Sequence, residues 1–133
     1  MNKIWVSVIL LGIIVAGGFG YNAYINRKTG KMLSLAEQAI EAVDKGERGT
    51  EYIEQIDVQL EGISGFLCAF LDRDIINEAE ESIVYAREMS EAGSFETVCA
   101  IEMVKEKIMH IKNSAAIELK YILFRGEVRV YVA

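Results

Sequence analysis

The sequence predicts an all-α protein, an N-terminal transmembrane helix followed by a small antiparallel helical bundle or a long helical hairpin. Three features point there. The chain opens with "IWVSVILLGIIVAGGFGYNAYIN", about 23 residues without a charge between Lys3 and Arg27. None of its 133 residues is proline, so nothing fixes a break inside a helix. Beyond Arg27, aliphatic residues recur at steps of three and four among charged ones, the period of an amphipathic helix.

At ~1.5 Å per residue the uncharged run spans ~34 Å as a helix, enough for a hydrocarbon core of ~30 Å. Ile4, Trp5, Leu10, Leu11, Ile14 and Tyr24 are the expected membrane-facing residues, with Trp5 at one end and Tyr21 and Tyr24 at the other supplying amphipathic rings at headgroup depth. A cleaved signal peptide is the alternative, and "VAGGFGYNA" offers small residues without a clean A-x-A site. Gly12, Ala16 and Gly20 recur at steps of four, a small-residue stripe that either packs two anchors together or reflects the ordinary abundance of small residues in membrane helices.

The next segment, "KMLSLAEQAIEAVDKGERG", places Met32, Leu35, Ala36, Ala39, Ile40 and Val43 on one face and ends at Lys45 and Gly46; it can run straight on from the span. Thr50 is the expected N-cap of the following helix. There Ile53, Ile56, Leu60, Ile63, Leu67 and Phe70 form a heptad seam that requires another helix against it, and these six residues are the candidate interaction face. Asp72 or Asp74 can cap a fresh start, leaving open whether the chain breaks at Leu71–Asp74 or runs through. Ile76, Ala79, Ile83 and Ala86 continue the pattern until Gly93 and Ser94 stop it and cap the last helix. That helix aligns Ile101, Val104, Ile108, Ile111, Ala115, Leu119 and Ile122. The tail alternates Val128, Val130 and Val132 with Arg129 and Tyr131, which predicts a short extended or flexible segment. The expected division is thus an anchor over residues 1–26, an acidic helical domain over 27–125 and a tail over 126–133.

All 20 acidic residues follow the anchor, against ten basic residues from Met32 onward, leaving about −10 on the domain. That balance argues against nucleic acid and against lying flat on an anionic leaflet. Arg27, Lys28 and Lys31 after the span favour a cytoplasmic domain by the positive-inside bias. A short amino-terminal tail with one basic residue instead resembles a signal anchor, which exports the domain, and export is the preferred of these two conflicting expectations. The expected location is therefore the cell membrane, single-pass, with an extracytoplasmic domain.

Chemistry is sparse. His110 is the sole histidine, so one chain cannot assemble a histidine metal cluster. Cys68 and Cys99 are expected as small core thiols at opposite ends of the bundle, on the order of 20 Å or more apart and beyond disulfide reach. Asp72, Asp74, Glu78, Glu80 and Glu81 are the densest carboxylates, expected as a solvated face. No nucleophile elbow or phosphate loop is present. No catalytic residue, cofactor or metal is expected.

The combination of one span, an acidic helical domain, "FLCAFLDRDIINEAEESI" and "AIEMVKEKIMHIKNSAAIELKYIL" resembles a bacterial single-span, membrane-anchored family of unknown function, catalogued as domain of unknown function four-three-six-three. The likeness runs through Phe124. Members look like having tryptophans before an F-x-D-x-D region and a histidine near it; this chain has Phe66 and Phe70 for that aromatic bulk and Arg73 for the histidine. The resemblance implies an anchored helical module and transfers no catalytic residue. The expected function is a non-enzymatic, membrane-tethered module for protein–protein interaction or self-association. The alternative is an extracytoplasmic ligand or cell-envelope binding sensor.

Overall fold

The computed structural model describes the backbone of residues 2–69 and 71–132 and the side chains of those residues through Ile117. Four helices follow in order, α1 (Asn2–Asp44), α2 (Thr50–Leu67), α3 (Arg73–Glu91) and α4 (Thr97–Val132), with no strand among the described residues. Helix α1 is unbroken over 43 residues, about 64 Å at the usual rise.

Each helix packs on its neighbours in the chain, and α1 against α4 closes the ring; the backbones of α1 and α3, and of α2 and α4, make no close approach among the described residues. Short turns make every adjacent pair antiparallel, giving an up-down-up-down four-helix bundle rather than a long hairpin. The buried stripes step by three and four in every helix: Ile25, Thr29, Met32, Ala36 and Ala39 on α1; Ile53, Ile56, Leu60, Ile63 and Leu67 on α2; Ile76, Ala79, Ile83, Ala86 and Ser90 on α3; Thr97, Ile101, Val104, Ile108, Ile111 and Ala115 on α4. Such a stripe drifts little around a helix, so four of them meet along nearly parallel axes. Alanines on α1 and α3 lie in one core with the isoleucines of α2 and α4, so large side chains alternate with small.

The buried hydroxyls are satisfied locally. Thr29 donates to the Ile25 carbonyl at 2.7 Å, Ser82 to Ala79 at 2.7 Å and Thr97 to Ser94 at 2.6 Å. Ser90 donates instead across the turn to the Arg48 carbonyl at 2.7 Å and pairs with the Thr50 hydroxyl. This clasp ties the end of α3 to the start of α2 at one end of the bundle.

The turns refine the expectations. Gly46 and Gly93 both adopt positive φ, and the residue after each donates back into the preceding helix, Glu47 to Ala42 and Ser94 to Met89, the closing geometry that glycine permits. Gly49, not Thr50, occupies the N-cap of α2; the Thr50 hydroxyl is engaged by Ser90 instead. The chain breaks after Leu67, and Asp72 takes the N-cap position of α3 without a side-chain cap bond, its carbonyl accepting from Ile75. Ser94 accepts the Glu96 N–H on its Oγ, opening a turn before α4 begins at Thr97.

One expectation is corrected. Residues 126–132 continue α4 as helix rather than forming an extended tail; a strand needs an edge to pair with, and a helical bundle offers none. Helix α1 runs through residue 26 without interruption, with Ile25 already part of the buried core.

Candidate functional site

The amino-terminal half of α1 carries the largest apolar surface in the described structure. Ile4, Trp5, Leu10, Ile14 and Tyr24 are exposed, Ile4 at 71%, while Leu11 is half-buried. Among the described residues one helix, α1, is long and apolar enough to cross a membrane. Of the small-residue stripe, Gly12 and Gly20 face open space, with no atom within 4 Å of a built Cβ.

The expected interaction face is not on the surface. Ile53, Ile56, Leu60, Ile63 and Leu67 are all buried within the chain's own core; Phe70 lies outside the described residues. The seam meets α1 and α3, so the helix it requires comes from the same polypeptide. Both cysteines are free, as expected, but depart from expectation in being exposed rather than in the core. Cys68 sits in the turn just past the last helical residue of α2, and Cys99 falls between the buried positions Thr97 and Ile101, on the solvent side of α4.

What is exposed instead is a mixed face on α4. Phe95, 93% exposed in the turn before it, is followed by Cys99 and Met103 at steps of four, then Met109 and Ile117. Cys99, Met103, Met109 and Ile117 share one side of α4, and Phe95 leads into it. Tyr85 on α3 reaches this region and donates to Glu96 Oε2 at 3.3 Å. The negative charge of Glu96 beside it, then partial desolvation, raises the Tyr85 phenol above its ordinary pKa. Exposed methionines and aromatics adapt readily to a partner surface. Sequence reading missed this face because its residues are widely spaced among glutamates.

The carboxylates do not converge. Glu78 pairs with Lys107 at 3.3 Å, and Glu80, Glu81 and Glu88 line a shallow groove of about 450 Å³ along α3 with Val84 and Tyr85. A second open groove, about 480 Å³, runs along α4 beside Glu78 and includes Glu102, Glu106 and the exposed His110. No group of three or more His, Cys, Asp or Glu side chains is placed to hold a metal among the described residues. Ion pairs bridge neighbouring helices, Arg87 to Asp57 at 3.9 Å and Lys105 to Glu37 at 3.9 Å, partly exposed contacts worth about 0–1 kcal/mol each.

The far end of the bundle from the Ser90 clasp meets α1 at its aromatic residues. The Phe66 ring lies 5.4 Å from that of Tyr21 and 5.6 Å from that of Tyr24, the latter edge-on, and the Lys28 amine stands 5.9 Å over Tyr24. This cluster fixes the end of α2 beside the last turns of the uncharged run. Comparisons with protein-family models, curated proteins and solved structures find no match to this chain.

Proposed function

We propose that this protein is a single-pass, membrane-tethered helical module without enzymatic activity that binds a protein partner or a second copy of itself. The observation that carries the reading is α1. Its first half exposes aliphatics suited to lipid and its second half is one wall of the bundle, with no break between. In hydrocarbon every backbone group must be bonded internally, so a glycine-containing stretch that could fray in water stays helical there. The bundle would therefore be held rigidly with respect to the membrane rather than on a flexible linker. The docking face is the outer side of α4 around Phe95, Cys99 and Met103, in place of the buried seam on α2. The resemblance to domain of unknown function four-three-six-three implies the same anchored module.

Cys99 supplies the test. In membranes carrying a Cys68→Ser variant, oxidation yields a disulfide-linked dimer if two copies meet through this face. A photocrosslinker attached at Cys99 yields a discrete heavier adduct if a different protein docks there. Absence of both overturns the reading. We place the bundle outside the cytoplasm; a reporter active only there, fused after Ala133, is expected to be active, and an active cytoplasmic reporter overturns that placement.

A further inference from the structure

We propose that the α2–α3 turn is a second membrane contact, dipping into the headgroup and upper acyl region of the leaflet beside the span. The proposal rests on α1 being a membrane anchor and adds to it a surface that sequence patterning does not single out. Between Glu61 and Asp72 the chain runs "GISGFLCAFL", ten residues without a charge. Leu67 and Leu71 are buried and pin the turn to the bundle, while Phe66, Cys68 and Ala69 are exposed, Phe66 at 42%.

The ring contacts set the level of this turn. Phe66 packs on both Tyr24 and Tyr21, which precede Arg27 by three and six residues. At the helical rise those positions lie ~4.5 and ~9 Å to the span side of Arg27, the range of ~5–10 Å over which interfacial apolar residues enter a leaflet. Charge agrees with that depth. Arg27, Lys28 and Lys31 stand on α1 where phosphates would lie, with the Lys28 amine over the Tyr24 ring, and the exposed Asp72, Arg73 and Asp74 close the turn and limit its entry.

The two ends of the bundle differ accordingly. The opposite end carries "DKGERG" between α1 and α2, and its exposed aromatics stand among carboxylates, Phe95 between Glu91 and Glu96 in the chain and Tyr85 bonded to Glu96. An uncharged turn with an exposed ring, held level with the end of an apolar span, continues the surface that lipid would already cover. The lipid bilayer is the occupant that this continuity selects.

The exposed cysteines report on the two ends separately. The full chain is reconstituted in phosphatidylcholine vesicles containing lipids spin-labelled at the headgroup or high on the acyl chain. Cys99→Ser leaves Cys68 for a bimane label, and Cys68→Ser leaves Cys99. Bimane at Cys68 is expected to emit at shorter wavelength and lose intensity to both spin labels, whereas bimane at Cys99 keeps its intensity with either spin label. Phe66→Ser should return the Cys68 label toward aqueous emission while far-UV circular dichroism stays unchanged. Trp5, the single tryptophan, reports the span independently in unlabelled protein. Quenched Trp5 with an unquenched Cys68 label overturns the membrane contact and leaves the anchor standing; unquenched Trp5 overturns the anchor itself.

Discussion

Leu60 distinguishes a seam that holds the bundle together from one that waits for a partner. It lies midway along α2 with 0% exposure, between Ile56 and Ile63 on the same stripe. Leu60→Ala removes three carbons from a closed site, losing their transfer free energy and leaving a cavity that neighbours fill only in part. A fully buried leucine truncated this way costs about 2–5 kcal/mol. Taking ~3 kcal/mol, and ~4–8 °C per kcal/mol for a domain of this size, the transition should fall by roughly 12–24 °C. Val58, two residues away on the same helix, is 64% exposed, and Val58→Ala should change stability by less than ~0.5 kcal/mol. The assay is thermal circular dichroism of the full chain in a mild nonionic detergent, where the apolar half of α1 stays helical and the bundle supplies the transition. Equal melting of Leu60→Ala, Val58→Ala and the parent would refute the core assignment and return the seam to the role of a docking surface.

Ser90→Ala removes the donor to Arg48 and the hydroxyl paired with Thr50, both part-buried contacts. The expected cost is about 0.5–1.5 kcal/mol, read as a lower denaturation midpoint with an unchanged denaturant slope. Gly49→Ala should cost more than Gly46→Ala in the same assay. Both glycines have positive φ, costing a side chain about 1–2 kcal/mol, but a Cβ at Gly49 would also stand 3.0 Å from the Ala39 carbonyl oxygen while Gly46 faces open space. Tyr85 should ionise at higher pH than an ordinary tyrosine, because Glu96 opposes a second negative charge and accepts its proton in a hydrogen bond. Any stability from this contact is fully present below the unfolded phenol pKa of about 10 and is lost as pH rises through the higher folded value. Ultraviolet difference titration of the parent against Tyr85→Phe reads the midpoint, and Glu96→Gln should lower it.

A helix writes its buried stripe into its own sequence, and for that reason the three-and-four rhythm of α1 to α4 is legible without a structure. Ile101, Val104, Ile108 and Ile111 could hardly be placed elsewhere. What covers a stripe is not local information. The seam from Ile53 to Leu67 has the same rhythm whether it meets a partner or meets α1 and α3, and only the packing of α2 on those two helices decides between them. Cys99 shows the opposite case. A small apolar thiol suggests a core position by residue type, yet it falls between Thr97 and Ile101 and therefore off the stripe. Its exposure was available from register and hidden by composition. The valines after Arg125 misled through the same confusion of pattern with context, since alternation indicates a strand only where an edge exists to receive it.

The division between anchor and domain is sharper in charge than in packing. Charge places it sharply at Arg27, but packing places Ile25 in the core and Tyr21 and Tyr24 against Phe66. The last turns of the uncharged run thus serve two environments at once, one face toward the bundle and the other open. A helix can do this because its faces are independent at a given height along the axis. Sequence windows average over those faces, so the residues where the uncharged run enters the bundle are where a boundary read from composition is least able to follow the packing.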